Sequence, residues 1–354
     1  MAENLCFACR FNPARIVFGA GSVSRLAEEL SAADRHRALI LSTPAQKDAA
    51  HALAASLKDL AAGVFAEAAM HTPVDVTARA MSAFAAARAD CIVALGGGST
   101  IGLGKAIAWR NDTMQFVIPT TYAGSEVTPI LGQTENGMKT TIRDAKVLPE
   151  VVIYDPELTQ TLPVGLSVTS GLNAIAHAIE GLYAQERNPV TAWMAVEGVR
   201  ALKDALPVIV NAPRNEAARE RALYGAWLCG TVLGTVGMAL HHKLCHTLGG
   251  SFDLPHAETH AVLIPHTAAY NAATAATELA PAAALFGGDL GRGLWDFAQS
   301  LGAPLALREL GLARGDLHRA ADLAVQNPYW NPRPVTRDAI LALLERAWAG
   351  ERPT

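Results

Sequence analysis

Along the first 160 residues, short apolar runs alternate with stretches in which apolar residues recur every three or four positions. The runs are rich in Val and Ile and end in Gly, Ser or Thr, which indicates buried strands, and the stretches between them have the spacing of amphipathic helices. Such alternation predicts a mostly parallel, Rossmann-like sheet with helices on both faces. The predicted strands are ARIVF (14–18), RALILST (37–43), CIVALGGG (91–98), QFVIPTT (115–121) and one within KVLPEVVIYDPELTQTLP (146–163).

Beyond residue 164 the strand pattern ends, and Ala- and Leu-rich stretches keep a helical period to the last residues. We therefore predict an α/β domain over residues 1–160 and an all-α domain over residues 161–354. The prolines of NPYWNPRPVT (327–336) predict a loop before a last helix at 337–348. The uncharged segment ALYGAWLCGTVLGTVGMAL (222–240) is long enough to cross a bilayer, but its glycines and the lack of a companion span favour a buried helix.

Composition excludes several classes of protein. The chain has 354 residues, 51% of them hydrophobic, and a formal net charge of −4, which is typical of a globular protein with two cores and argues against nucleic-acid binding. Five cysteines do not form a disulfide framework, and Cys6 and Cys9 are interpreted as reduced thiols near an N-terminal strand. The N-terminus lacks the basic-then-apolar order of a signal peptide, so we expect a cytoplasmic protein with no membrane contact.

A glycine-rich loop, GGGSTIGLGKA (96–106), follows one predicted strand and opens a helix. Free N–H groups at a helix N-terminus bind phosphate, although Ile101 and Ala106 depart from the dinucleotide and Walker A patterns. The alternative is a tight turn in which Ser99 caps the helix. A second loop, PTTYAGSEVTP (119–129), follows the next strand and favours a dinucleotide crevice. The predicted cofactor contacts in these two loops are Gly96, Gly97, Gly98, Ser99, Thr120, Thr121 and Ser125.

The strand RALILST ends in Ser42 and Thr43, and Ser42 is a further predicted cofactor contact. An acidic residue there would bind the ribose 2′-hydroxyl and repel a 2′-phosphate. Because neither residue is acidic, both NADH and NADPH are predicted cofactors.

Histidines are concentrated in the second half of the chain. GLNAIAHAIE (171–180) places Asn173 and His177 one helical turn apart, and HHKLCHTLGGSFDLPHAETH (241–260) follows some sixty residues later. A helix can offer two ligands to a metal at that spacing, but residue 173 is an amide. Packing does not explain so many imidazoles, so we predict that His177, His242, His246 and His256 line one pocket and that His241, His260 and His266 are structural.

These motifs, in this order over essentially the whole chain, resemble those of the iron-containing (group III) alcohol dehydrogenases. In metal-dependent members an Asp occupies the place of Asn173, and their three histidine ligands fall on His177, His242 and His256. The resemblance also implies that His246 and Lys146 lie near the nicotinamide and its ribose. A neutral amide is a poor ligand for a divalent cation, so no metal is expected, although three histidines can still hold zinc.

Within that family the chain looks most like the maleylacetate reductases, through HHKLCHTLGGSFDLPHAETH and NPYWNPRPVTR. This resemblance implies a homodimer that reduces the C=C bond of maleylacetate to 3-oxoadipate without metal, in the breakdown of aromatic compounds, with chlorinated analogues as candidate substrates. Tyr329, in the proline-rich loop, is a candidate hydroxyl donor, and Lys243 and Arg333 are candidates for the second carboxylate. The alternatives are a zinc- or iron-dependent alcohol or aldehyde dehydrogenase and a nucleotide-binding protein that has lost catalysis.

Overall fold

The computed structural model describes residues 7, 9, 11–12, 14–135 and 138–354. Cys6, and with it the interpretation of the Cys6–Cys9 pair, lies outside these residues. Cys9, Cys91, Cys229 and Cys245 form no disulfide. The described chain forms two compact units: one consists of Asn12–Leu162 with Arg214–Leu223, and the other is mainly Pro163–Pro213 with Tyr224–Thr354.

The first unit is built on a six-stranded parallel sheet with the order β1-β8-β5-β4-β2-β3, as the sequence predicts for this part of the chain. A separate antiparallel hairpin, β6–β7, lies between β5 and β8 in the chain. Neither this hairpin nor strand β3 was predicted from the sequence. The strands are β1 (Arg15–Phe18), β2 (Ala38–Leu41), β3 (Ala61–Phe65), β4 (Cys91–Gly96), β5 (Met114–Pro119), β6 (Ile130–Glu135), β7 (Met138–Arg143) and β8 (Val151–Tyr154).

Both faces of the six-stranded sheet are covered, which explains why its central strands are apolar without a break. In β2, Ile40 belongs to the core on one face, whereas Leu39 and Leu41 belong to the core on the other. The α-helices of this part of the chain are α1 (Leu26–Ala32), α2 (Lys47–Leu57), α3 (Val74–Ala86) and α4 (Gly98–Asn111).

The second unit is helical, and the described residues from Pro163 onward contain no strand. Its central helix is α5, which is buried along its whole length from Ser167 to Tyr183. The predicted loop 327–336 precedes a last helix as expected. The helices are α5 (Val164–Tyr183), α6 (Pro189–Asn211), α7 (Glu216–Thr235), α8 (Leu240–Phe252), α9 (His256–Ala272), α10 (Ala276–Leu285), α11 (Leu290–Ser300), α12 (Leu317–Ala324) and α13 (Arg337–Ala349).

Residues Arg214–Leu223, which include the start of α7, belong to the α/β unit. The single boundary predicted at residue 160 instead assigned them to the helical domain. Arg219 accounts for this grouping. Its buried guanidinium donates to the hydroxyl of Tyr122 and to the backbone oxygen of Leu162, each at 3.1 Å. A buried guanidinium needs such acceptors, so these bonds tie the segment to the α/β unit.

The apolar segment 222–240 is divided between two helices, since α7 ends at Thr235 and α8 begins at Leu240. Among the described residues no single helix meets the length and hydropathy expected of a membrane span. Only α7 and α8 taken together do so, and they are bent by 95° relative to each other.

Candidate active site

The helical unit brings histidines from α5, α8 and α9 into one cluster. His177 and His242 are buried, and Nδ1 of His177 lies 2.8 Å from Nε2 of His242. The ring of His260 lies 5.0 Å from that of His242 and 4.5 Å from that of His256, between ring centres. His246 completes the group, with its ring 6.2 Å from that of His242.

The four histidines assigned to a pocket by the sequence are therefore neighbours in the structure. His241 and His260, predicted to be structural, belong to the same cluster, and the ring of His260 contacts three of the four. Burial decreases across the cluster: His241 and His260 are fully buried, His256 is half-buried and His246 is exposed. The cluster therefore opens to solvent on the His246 side.

Glu180 is the residue of this site that sequence analysis missed. Its buried carboxylate accepts from Nδ1 of His242 at 2.5 Å and from the backbone N–H groups of His241 and His242 at 2.8 and 3.3 Å. These N–H groups belong to the first turn of α8, where a helix has no internal acceptors for them. One carboxylate thus caps α8 and fixes the orientation of the His242 ring. Its position three residues after His177 on one helix was the available signal.

A hydrogen-bond chain sets the tautomer of His260. Thr267 donates its hydroxyl proton to backbone oxygens of its own helix, so its Oγ1 accepts from Nδ1 of His241 at 3.0 Å. Nε2 of His241 must then accept from Nδ1 of His260 at 2.9 Å. Burial, reinforced by neighbouring histidines, holds the pKa of both His241 and His260 well below the usual range, so both are neutral. His260 consequently presents a bare, buried Nε2 with no hydrogen-bond partner.

Two further polar atoms at this site are buried and have no hydrogen-bond partner: Oδ1 of Asn173 and the hydroxyl of Tyr329. Asn173 lies one turn before His177 on α5. The Tyr329 ring packs against the core of the helical unit, and burial followed by the charge of Glu180 raises the pKa of its hydroxyl. Buried polar groups without partners are costly, so these atoms indicate a site for a polar ligand.

The donor atoms of the cluster fit a tightly bound divalent cation poorly. Two imidazole nitrogens on one tetrahedral zinc lie about 3.4 Å apart, given zinc–nitrogen bonds of about 2.1 Å. The 2.8 Å between His177 and His242 is instead a hydrogen-bond distance. His241, Cys245 and His260 also offer three donors within 4.8 Å of one another, but His241 and His260 are hydrogen-bonded to each other.

The predicted cofactor loops lie at the carboxyl ends of β2, β4 and β5, which are neighbours in the sheet. Gly97 is the N-cap of α4, the helix begins at Gly98, and no side chain caps it. The alternative in which Ser99 caps the helix is therefore wrong, because Ser99 already lies in the first turn. The free N–H groups of that turn remain available to an anion.

Close packing explains two of the three glycines. A Cβ on Gly96, where φ is +151°, would lie 2.5 Å from Oγ1 of Thr100, and one on Gly97 would lie 2.7 Å from the Thr121 side chain. Gly98 has open space instead. The two loops therefore contact each other at Gly97 and Thr121, and the space beside Gly98 lies open at the helix N-terminus.

The remaining predicted contacts on these strands lie nearby. Ser42 directly follows β2 and has a fully buried hydroxyl without a partner, and Thr120 accepts from Nε2 of Gln46 at 3.0 Å through its Oγ1. The backbone N–H of Thr120 also donates to Gly96, at 3.1 Å. Ser42, Gly96 and Thr120 are thus on one edge of the sheet.

Lys105 holds the second loop in place. Its buried ammonium donates to the backbone oxygens of Ser125, Thr128 and Ile130 and to the Thr128 hydroxyl, at 2.6 to 2.9 Å. Burial lowers its pKa to about 7, against the opposing charge of Glu126. This role of Lys105 was not predicted from the sequence.

Lys146 is not brought to this edge, so its prediction as a cofactor contact is wrong. It is exposed, 3.8 Å from Asp112, which follows the C-terminus of α4, and its backbone oxygen accepts from Gln115 near the start of β5. The 14 residues of α4 separate that end from the glycine loop by about 20 Å.

Comparison with known protein families assigns both parts of the chain. Residues 13–156 match the family model "Iron-containing alcohol dehydrogenase", and residues 167–348 match "Fe-containing alcohol dehydrogenase family, C-terminal". The chain belongs to the iron-containing alcohol dehydrogenase family. It is therefore an enzyme of the oxidoreductase class.

Individual relatives from this family match along nearly their whole length. The chain is 66% identical to a maleylacetate reductase of Rhizobium sp. (strain MTP-10005), over 96% of this chain and 97% of the relative. It is 54% identical to a maleylacetate reductase of Sphingobium indicum with the same coverage. A crystal structure of maleylacetate reductase from Agrobacterium tumefaciens superposes with a TM-score of 0.96 at 64% identity, covering 99% of this chain and 100% of the other.

Proposed function

We propose that the protein uses NADH or NADPH to reduce the carbon–carbon double bond of maleylacetate, giving 3-oxoadipate. The names of the Rhizobium and Sphingobium relatives support this substrate. The observation that carries the proposal is the buried amide of Asn173, one turn before His177. An amide donates hydrogen bonds to an anionic substrate, whereas a carboxylate in its place would repel it.

The α/β unit fits a dinucleotide cofactor. The N-terminus of α4 lacks a side-chain cap, the space beside Gly98 is open, and the hydroxyls of Ser42 and Thr100 are buried without partners. The first turn of α4 would hold the pyrophosphate. When bound, a reduced nicotinamide supplies the hydride. The residues proposed to hold the cofactor are Ser42, Gly96, Gly97, Gly98, Ser99, Thr120, Thr121 and Ser125.

The histidine cluster and Asn173 supply the rest of the chemistry. A hydride forms a new C–H bond at the carbon β to the ketone, and the electron pair of the double bond moves to the ketone oxygen. The amide N–H groups of Asn173 donate to this enolate and stabilise it. A proton then bonds to the α carbon and completes the reduction. His246, exposed at the open side of the cluster, is the proposed donor and regains its proton from water.

We propose that no metal takes part in this reaction. The imidazoles of His177 and His242 share a hydrogen bond, and Glu180 is engaged by His242 and the backbone. The donors left to a cation are neutral, so they contribute no charge to its binding. A zinc- or iron-dependent alcohol dehydrogenase, the alternative, would require the His177–His242 hydrogen bond to break.

The test is oxidation of NADH and of NADPH by the purified protein on maleylacetate, with and without a chelator, alongside elemental analysis. We expect turnover that survives chelation and less than stoichiometric iron or zinc. Activity on simple alcohols that is lost with one metal per chain would establish the alternative. Absence of turnover on every enone and carbonyl substrate would support the second alternative, a nucleotide-binding protein that has lost catalysis.

The remaining proposals follow from the family resemblance alone. A homodimer is proposed, and light scattering coupled to size exclusion measures the mass that tests it. Chlorinated maleylacetates are proposed as further substrates, and the same oxidation assay compares them with the parent compound.

A further inference from the structure

Lys243 carries a charge that no acid of the described chain neutralises. It follows His242 on α8 and is half-buried, and no ion pair to it occurs among the described residues. Its ammonium lies over the ring of Tyr329, with Nζ 5.6 Å from the ring centre. Partial burial weakens the hydration of an ammonium, so an anionic partner at this position would stabilise it.

Tyr329, whose ring lies under the Lys243 ammonium, supplies a hydroxyl as a hydrogen-bond donor. Its ring is held against the core of the helical unit, and its hydroxyl is buried without a hydrogen-bond partner. Because burial and the nearby Glu180 raise the pKa of this hydroxyl, it keeps its proton and donates. A fixed neutral donor beside a cation is the complement of a carboxylate, which accepts several hydrogen bonds and carries the opposite charge.

We propose that Lys243 and Tyr329 form a carboxylate subsite that makes the enzyme specific for dicarboxylates. The inference rests on the proposed function and adds to it. One carboxylate of the substrate binds at Lys243 and Tyr329, and the enone extends toward Asn173 and the histidine cluster. A substrate that lacks this carboxylate leaves the ammonium and the phenol without partners and reacts poorly.

Arg333, the other cation considered from the sequence, is already engaged elsewhere. Its guanidinium lies 4.1 Å above the centre of the Tyr270 ring and donates to the backbone oxygen of Tyr270 at 3.1 Å. These contacts hold the 327–336 loop against α9. We therefore assign Arg333 to the support of the loop that carries Tyr329.

The experiment compares two substrates in the full-length enzyme: maleylacetate, and 4-oxopent-2-enoate, which has the same enone but a methyl group in place of the terminal CH2–carboxylate. For Lys243→Met we expect kcat/KM for maleylacetate to fall about 10²-fold, mostly through KM, as for loss of a charge-assisted contact. The value for the monocarboxylate should change less than threefold. Lys243→Arg should restore part of the discrimination, and Tyr329→Phe should reduce it about tenfold.

Lys203→Met is the matched control, because Lys203 is a half-buried lysine on α6 of the same unit and has no role in the site. Far-UV circular dichroism and thermal melting establish that each variant folds. Equal losses on both substrates, or no loss on either, in folded Lys243→Met would overturn the subsite.

A second measurement separates the subsite from the proposed reaction. Calorimetric titration with 3-oxoadipate and with levulinate, its counterpart lacking one carboxylate, requires no turnover. If wild-type protein does not reduce maleylacetate, the proposed function fails, whereas a dicarboxylate preference that Lys243→Met abolishes still supports the subsite. Equal preference in wild type and Lys243→Met would overturn the subsite even if maleylacetate is reduced.

Discussion

The Oε2 atom of Glu180 lies 2.5 Å from Nδ1 of His242, and the same carboxylate accepts the backbone N–H groups of His241 and His242 in the first turn of α8. His242 in turn contacts His177 through its other ring nitrogen. One buried anion therefore binds the first turn of α8 and determines which nitrogen of His242 faces His177. The orientation of the His242 ring and the first turn of α8 both depend on Glu180.

Replacing Glu180 by Gln tests this dependence. The amide keeps the size of the side chain but removes the charge and one acceptor, so we expect kcat to fall about 10²-fold while the affinity for NADH stays within twofold. Steady-state kinetics and NADH titration measure the two effects. Glu186→Gln is the control, because exposed Glu186 also accepts a backbone N–H just before α8, from Gly237 at 3.0 Å. Equal losses in the two variants would contradict a role through His242.

Asn173→Asp places a carboxylate one turn before His177. We expect reduction of maleylacetate to fall at least tenfold, because the new charge repels the dianionic substrate. The same charge should increase zinc or iron uptake, which elemental analysis measures. Asn173→Ser, which lacks the charge, should show no such uptake. Full maleylacetate activity in Asn173→Asp would mean that the amide is incidental.

Lys105→Met removes the donor shared by four oxygens of the loop that follows β5. Buried carbonyls left without donors are costly, so we expect a loss of about 3 kcal/mol in the free energy of unfolding. A loosened loop should also raise the dissociation constant of NADH about tenfold. Urea denaturation and fluorescence titration measure these changes. Lys47→Met, at the exposed start of α2, should leave both values unchanged.

Cofactor preference is tested at the end of β2. Ser42 is fully buried, so an Asp there would disturb folding, whereas Thr43 is only half-buried. Thr43→Asp should lower kcat/KM for NADPH at least tenfold relative to NADH, because the carboxylate repels the 2′-phosphate. Thr43→Asn, of similar size but neutral, is the control. An unchanged cofactor ratio in Thr43→Asp would mean that the ribose binds elsewhere.

His266 predicts how stability depends on pH. Burial, followed by the charge of Arg346, lowers the pKa of His266 from 6.5 to about 4. Between those values the unfolded chain binds the proton and the folded chain does not, so the free energy of unfolding falls as the pH falls from 6.5 to 4. The contribution of this group is about 3 kcal/mol. His266→Asn should show a smaller drop in melting temperature over that window, whereas His51→Asn, on the exposed side of α2, should behave like wild type.

The pattern of apolar residues was sufficient for the parallel sheet and the helical half, because buried strands and helices differ in period and length. It missed β3, whose residues AAGVF lack the Val and Ile enrichment of the other strands, and the β6–β7 hairpin, which lies outside the six-stranded sheet. The β-propensity of a residue predicts structure poorly where packing against other parts of the chain determines it.

The spacing of residues along the helices predicted the histidine cluster but not the residues that position it. His177 was found together with Asn173, whereas the roles of Glu180 on the same helix and of His260 one turn after His256 depend on contacts with other helices. The prediction for Lys146 was wrong for a different reason. Its place in the chain did not indicate which edge of the sheet it occupies.

Because Arg214–Leu223 belongs to the α/β unit although it follows part of the helical unit in the sequence, the order of synthesis on the ribosome affects when the α/β unit can be completed. The α/β unit has all its strands once Tyr154 has been made, but the bonds from Arg219 to Tyr122 and Leu162 must wait for 65 more residues (219 − 154). At about 5 to 20 residues per second this interval lasts roughly 3 to 13 seconds. Throughout it the nascent sheet lacks its last segment, so this unit matures only while the helical half is already emerging.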